Sequence, residues 1–366
     1  QIHELYQRVN DYCSYYSSMD LKKGDVVVII LDESLDLFAN FVAGIIYGLR
    51  PAYYSYPSPK QSNKNFYDSI QHLSDYNEIK LIATFSDVTD LLQSQSLLPN
   101  TLIIDIEDIP PVNKDEVGLI NIGDVEEGFL QFSSGTTGAK KGIEITSPVF
   151  FNQNDAYSNY LDFNNDSKVI TWLPHYHDMG LIACMLIPLV NNVPIVMMSP
   201  FEWVTNPKIL LQSITEIKPS HLWLPNFALG HLSRSIDSEK IKNYDLSSLK
   251  LLVCCSEPLL EKTLNTFINK FKPALLDPSI INNCYAMAEN TFAITSTSGG
   301  RIHFLDIDSL NDEQESSNAK TKYRSPPVAS AGKPLPNISI SIMDEDGTKV
   351  QENGIGEICI KSNCML

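Results

Sequence analysis

A chain of 366 residues with 43% hydrophobic content can bury a large core, divided over two or more lobes. Its formal net charge of -17 excludes a general binder of nucleic acid or anionic membrane, because both reward clustered Lys and Arg. The cysteines at 13, 184, 254, 255, 284, 359 and 364 lack paired CxxC spacing, which argues for reduced thiols in a cytoplasmic setting and against a zinc site.

Residues 1–19 place Leu5, Val9 and Tyr15 or Tyr16 at helical spacing, and a turn at Lys23, Gly24 and Asp25 leads into an apolar strand over 26–31. No basic-then-apolar leader opens the chain and that strand is too short to cross a bilayer, so the expectation is no stable membrane insertion. Apolar runs at 80–84, 101–106, 169–173, 193–199, 221–224 and 251–255 then alternate with helix-length segments. This alternation predicts an α/β fold with two mostly parallel sheets and flanking helices, and ligands at the strand C-termini. Residues 128–132 and 142–145 read as strands on either side of a loop, followed by a helix capped by Thr146 or Ser147 with Pro148 in its first turn. The uncharged stretch 180–200 is broken by Asn191, Asn192 and Pro194, which predicts a buried helix and then a strand. Residues 306–327 are polar and read as an exposed connection. Alternation of Ile338, Ile340 and Ile342, a turn at Asp346-Gly347 and a partner strand over 356–360 predict a small β-rich subdomain. The expected divisions are residues 1–170, 171–327 and 328–366.

Between the strands at 128–132 and 142–145, QFSSGTTGAKKG gathers Gly135, Gly138 and Gly142 with Ser133, Ser134, Thr136 and Thr137. Glycines bring backbone N–H groups close to an anion, the hydroxyls add donors, and Lys140 or Lys141 adds charge, so the loop suits a polyphosphate such as ATP. It is not a Walker A loop, because that spacing would need glycine where Lys140 or Ile143 stands. An ordinary hydroxyl-rich turn is the plain alternative. A second cluster, TWLPHYHDMG, carries His175, His177 and Asp178 where a strand gives way to an apolar helix. A metallo-β-lactamase-type pattern would need Asp where Met179 stands, which argues against metal ligation here. In a third, NNCYAMAENT, Tyr285 is suited to stacking on a purine and Glu289 to an Mg²⁺ ion held between phosphates, although such a pair also occurs on ordinary helices. The fourth, CCSEP at 254–258, ends a strand and offers a wall for a base pocket; as a simple turn, its Glu257 and Pro258 would open a helix carrying Leu260, Leu264 and Phe267 on one face.

Taken in this order the clusters resemble the adenylate-forming superfamily, and WLPHYHDMG with LPNFA at 224–228 is most similar to the fatty acyl-AMP ligases. The resemblance covers nearly the whole chain and extends to FEWVTNP at 201–207 and SAGKPLP at 330–336. It implies a phosphate loop over Ser133–Lys141, with Lys141 catalytic and Thr137 and Glu289 near Mg²⁺. It implies that Tyr285, Ala286 and Met287 with Ser256, Glu257 and Pro258 enclose adenine. It places catalytic His177, with Asp178, beside the carboxylate and α-phosphate, and sets Asn226, Phe227 and Met287 at the acyl entrance. Two departures concern adenine: Tyr285-Ala286 stands where relatives often have Tyr-Gly, and Cys255-Ser256 where they often have Gly-Ala. Relatives also continue past GEICIK into a ribose-binding Asp, a hinge and a mobile domain with a catalytic Lys, so the expectation is a large N-terminal domain of weak activity.

The resemblance further implies conversion of a fatty acid and ATP to acyl-AMP and pyrophosphate with Mg²⁺ as cofactor, and an acyl carrier protein as acceptor. Alternatives are an acyl-CoA synthetase, a non-catalytic acyl-adenylate-binding module, or a structural lobe that docks on a carrier. Leu181, Met185 and Leu189 lie at helical spacing after His177 and suit either an acyl channel or core packing.

Overall fold

The structure, a computed structural model, describes residues 2–57, 62–94, 98–111, 127–132, 142–306, 327–352 and 354–365. The expected phosphate loop and most of the polar connection lie outside the described residues. The chain forms two compact units, one of Gln1–Phe151 with Pro174–Asp178 and one of Asn152–Leu173 with Met179–Met365.

The first unit opens with α1 (Ile2–Ser17), which buries Val9, Tyr12, Cys13 and Tyr16. It continues through β1 (Val26–Ile30), α2 (Leu35–Tyr47), β2 (Arg50–Tyr53), α3 (Asn63–Asn77), β3 (Ile79–Thr84), α4 (Ser86–Gln93) and β4 (Leu102–Asp105). The strands form a wholly parallel sheet in the order β2-β1-β3-β4. β1 lies in its interior and is a fully buried VVVII run, as a strand covered on both faces requires. Helix α2 follows at once because Ser34 accepts the Leu37 N–H at 3.2 Å and Gly48, at φ 86, stops it. Arg8 fastens α1 to α2 through Asp36 at 2.5 Å and reaches the Ile106 carbonyl at 3.1 Å. Strands β5 (Phe129–Phe132) and β6 (Gly142–Ile145) occur where the sequence reads as strands, and they pair antiparallel.

Helix α5 (Ser147–Leu161) begins where expected, with the Thr146 carbonyl accepting the Phe150 N–H at 2.9 Å. The contacts divide within this helix, at Phe151/Asn152, whereas the sequence led us to expect 170/171. The cause is local. Tyr157 accepts the Trp223 indole N–H at 3.0 Å, Tyr160 donates to the Thr297 carbonyl at 3.1 Å, and Asn152 donates to the Asn363 carbonyl at 2.8 Å.

The second unit continues with β7 (Val169–Thr171), a π-helical stretch (Met179–Leu186), α6 (Ile187–Val190), β8 (Ile195–Met197), α7 (Pro200–Thr205), α8 (Lys208–Ile217), β9 (His221–Leu224), α9 (Asn226–Ser235), β10 (Leu251–Cys254), α10 (Glu261–Phe271), β11 (Ile281–Ala286) and β12 (Ala293–Ser296). Short strands β13 (Phe304–Leu305), β14 (Val328–Ala329) and β15 (Lys333–Pro334) precede the antiparallel pair β16 (Ile338–Met343) and β17 (Glu357–Ser362). Seven strands share one sheet in the order β15-β12-β11-β10-β9-β7-β8, parallel from β11 to β8 and antiparallel at the β12 and β15 edge. β15 is thus part of this sheet and β14 pairs with β13, so among the described residues of the region expected as a β-rich subdomain β16 and β17 alone pair with each other. The π-helical stretch is buried at every position, Leu181 and Met185 included, which favours core packing for both. Its wide coil ends at Leu186, two residues before Pro188, whose ring would crowd the Cys184 carbonyl if a regular α-helix continued through it. No helix among the described residues is long and apolar enough to cross a membrane.

Gly332 turns the chain into β15 at φ 83, and a Cβ there would lie 2.0 Å from the Ser296 carbonyl oxygen. Gly332→Ala should lower unfolding free energy by more than about 2 kcal/mol in urea titration; a loss within about 0.5 kcal/mol would contradict this packing. His175 is 4% exposed between the edges of Phe38 and Tyr53, and burial lowers its pKa to about 4. The unfolded state therefore takes up the proton first. The contribution of neutral His175 is complete above about pH 6.5 and is lost as pH falls toward 4. Burial raises Glu33 to about 8, so its contribution is complete below its ordinary value and lost as pH rises to 8, the opposite direction. Comparing His175→Leu with the parent cancels the Glu33 share: their stability gap should shift by about 2 kcal/mol between pH 7.5 and 5.0, to the disadvantage of the parent at low pH. A gap independent of pH would refute a buried neutral imidazole.

Candidate active site

Parallel pairing fixes where the candidate residues of the second unit emerge. Leu224, the last residue of β9, lies beside Cys254, the last of β10, and Cys254 lies beside Asn283 of β11, which runs on three residues to Ala286, so all three strands leave the sheet at the same edge. The chain beyond these ends carries Asn226 and Phe227 in the first turn of α9, then Ser256, Glu257 and Pro258 in the segment after β10, then Met287 and Glu289 after β11. Side by side at the carboxyl edge of a parallel sheet is where an open α/β fold places its ligands.

The loops after β9 and β10 are joined directly. Asn226 Oδ1 accepts the Leu260 N–H at 3.1 Å, and the Phe227 N–H donates to Glu257 Oε1 at 3.5 Å. Ser256 stands at φ 72, a region a side chain rarely enters, and its hydroxyl meets Met179 Sδ at 3.7 Å. The helix expected to open at Glu257 and Pro258 instead begins at Glu261. Leu260 is held extended by the Asn226 bond and by a bridge to Val328, which delays the helix to Glu261. Leu264 and Phe267 are buried as expected, while Leu260 is exposed.

NNCYAMAENT is a strand and a tight turn, with no regular α-helix. Tyr285 and Ala286 end β11, the Tyr285 hydroxyl meets Met287 Sδ at 3.9 Å, and residues Ala288–Asn290 form one 3₁₀ turn. Asn290, fully buried, anchors that turn by donating to the Ala293 carbonyl at 3.0 Å and to Gln153 Oε1 at 3.4 Å. Thr291 sits at φ 64, an outlier for a β-branched residue, and donates to the Cys364 carbonyl at 2.9 Å. In the anchored turn Glu289 is exposed. Among the described residues no group of three or more His, Cys, Asp or Glu is arranged around a metal. A single exposed carboxylate fits a hard cation that keeps water and phosphate oxygens as its other ligands.

His177 and Asp178 belong to the first unit, in the segment Pro174–Asp178. His177 is exposed, its ring 4.8 Å from that of Tyr176, and its N–H donates to the Pro174 carbonyl at 3.2 Å. Burial raises the Tyr176 hydroxyl, and the charge of Glu33 adds to the effect. Ser133, Ser134, Gly135, Thr136, Thr137, Gly138 and Lys141 lie outside the described residues, between β5 and β6.

Two features escaped the sequence reading. Trp172 and Trp203 stack at 3.8 Å with 3° between their planes, and Phe227 stands edge-on to both; the only hint was the aromatic in FEWVTNP. Gln131, 2% exposed, donates to the Tyr176 carbonyl at 3.0 Å, and its signal was a lone amide in an apolar strand.

The chain is 29% identical over 238 residues to a medium-chain-fatty-acid–[acyl-carrier-protein] ligase, JamA, of Moorena producens, covering 63% of this chain and 40% of the relative. A solved chain from studies of fatty acyl-adenylate ligases of E. coli and L. pneumophila superposes with a TM-score of 0.87 at 23% identity, over 99% of this chain and 66% of that one. A fatty acyl-adenylate ligase from L. pneumophila, solved in complex with acyl adenylate and pyrophosphate, gives 0.82 at 24%, over 99% and 63%. These likenesses establish the fold. The chain spans about half the length of the curated relatives it matches. A family model for AMP-binding enzymes matches residues 2–366, strands and candidate loops alike, and the chain belongs to that family.

Proposed function

We propose that the protein activates a fatty acid with ATP, forming acyl-AMP and releasing pyrophosphate, and hands the acyl group to a carrier protein in the cytoplasm. The observation that carries this reading is the parallel alignment of β9, β10 and β11, which brings two of the four sequence clusters, CCSEP and NNCYAMAENT, together with LPNFA to one edge of the sheet. The relative named as a fatty-acid–carrier-protein ligase supports the substrate and the acceptor. The adenylate and pyrophosphate named with the L. pneumophila ligase support the reaction type.

In this reading a carboxylate oxygen attacks the α-phosphorus, a P–O bond forms, and the bond to pyrophosphate breaks. Both reactants are anions, so catalysis consists of aligning them and neutralising charge on the five-coordinate phosphorus. Ser133, Ser134, Gly135, Thr136, Thr137 and Gly138 supply donors to the phosphates, and Lys141 supplies positive charge. His177 donates to the reacting carboxylate and phosphate oxygens, with Asp178 beside it. Tyr285, Ala286 and Met287 form one wall for adenine, and Ser256, Glu257 and Pro258 the other. Asn226, Phe227 and Met287 border the acyl chain. Thr137 and Glu289 would hold Mg²⁺, which when bound supplies charge neutralisation on the phosphates.

Fatty-acid-dependent exchange of pyrophosphate into ATP tests this reading. Glu289→Gln and Lys141→Ala should each reduce exchange by roughly 100-fold or more while circular dichroism stays unchanged. Exchange within about threefold of the parent in both variants would contradict it. Acyl transfer should reach the phosphopantetheine thiol of a carrier protein, and efficient acyl-CoA formation would overturn that acceptor.

A further inference from the structure

We infer that Gln131 is a positioning residue that fixes the peptide joining Tyr176 to His177. The inference rests on the role proposed for His177. β5 is otherwise apolar, with Phe129, Leu130 and Phe132 buried, and Gln131 is 2% exposed among them. Burying an amide is unfavourable unless its groups are bonded. Here Nε2 donates to the Tyr176 carbonyl at 3.0 Å, while Oε1 has no hydrogen-bond partner among the described residues. An apolar side chain of similar size would remove that cost, so stability alone gives no reason for an amide at this position.

Placement of His177 does give one. The peptide between Tyr176 and His177 is a single planar unit, and both of its polar ends are held: the carbonyl by Gln131, and the N–H by the Pro174 carbonyl at 3.2 Å. Fixing that plane restricts the direction in which the His177 side chain leaves the backbone. The Tyr176 ring, 4.8 Å from the imidazole, then limits its rotation from one side. Gln131 holds the carbonyl from a strand, a rigid element, whereas His177 stands exposed on a connecting segment. A bond from strand to segment is thus a means of giving an exposed histidine a defined position.

Gln131→Met keeps the size and removes the donor. Its thermal midpoint should stay level or rise, and amide deuterium exchange in residues 174–178 should quicken by about tenfold. In fatty-acid-dependent exchange of pyrophosphate, kcat should fall about 10- to 100-fold with KM for ATP within about twofold. In a His177→Ala background the same substitution should add less than about twofold, since both changes act through one side chain. Unchanged deuterium exchange at 174–178, or losses that multiply in the double variant, would overturn the inference. Faster deuterium exchange in a protein with no fatty-acid-dependent activity would uphold the tether and refute the reading of His177. Should Gln131→Met fail to fold, Gln131→Leu is read in the same way.

Discussion

The second unit depends on the register of its parallel strands. Because Leu224, Cys254 and Asn283 stand in line across β9, β10 and β11, every loop that leaves those strands leaves from the same edge. The hydrogen bonds of the sheet thus do the assembling, and the loops need only short-range ties to finish it. Those ties are visible: Asn226 to Leu260, Phe227 to Glu257, and Asn290 to Ala293 and Gln153. The two backbone outliers of this region, Ser256 and Thr291, occur in the same loops. Such conformations persist only where their surroundings over-determine them, and here the sheet and these ties provide the surroundings.

The first unit handles its polar groups differently. Its core buries a neutral imidazole at His175 and a partly buried carboxyl at Glu33, both shifted chiefly by burial. Gln131 belongs to the same pattern, a polar group placed where an apolar one would pack more cheaply. All three adjoin or face the segment that carries His177: His175 is part of it, Gln131 bonds to Tyr176, and Glu33 acts on Tyr176 through its charge. The unit thus accepts desolvation costs around one short segment, while its interior strand β1, VVVII, is wholly apolar.

Much of this was legible from the residues. Apolar runs located strands because fully buried parallel strands have no polar face, and 221–224 and 142–145 appear with the bounds the sequence suggested. The resemblance to adenylate-forming enzymes and the family membership agree. What stayed hidden depends on distant partners. β11 mixes Asn282, Asn283 and Tyr285 into a buried strand, and its asparagines bond to Thr297, Gly300 and Ser330, distant partners that a local reading does not supply. The start of α10 was misplaced because Glu257-Pro258 has the composition of a helix opening, while a side chain from α9 and a bridge to β14 keep Leu260 extended. Pairing of Trp172 with Trp203 joins residues from opposite ends of a strand-helix-strand unit, which no spacing rule predicts.

The most direct measurement of the central claim is a deuterium-exchange footprint of the protein with a non-hydrolysable acyl-adenylate mimic. The account predicts protection in two separated peptides, residues 254–260 after β10 and residues 284–291 at the end of β11. Binding that leaves both peptides unprotected, or no binding at all, would contradict it.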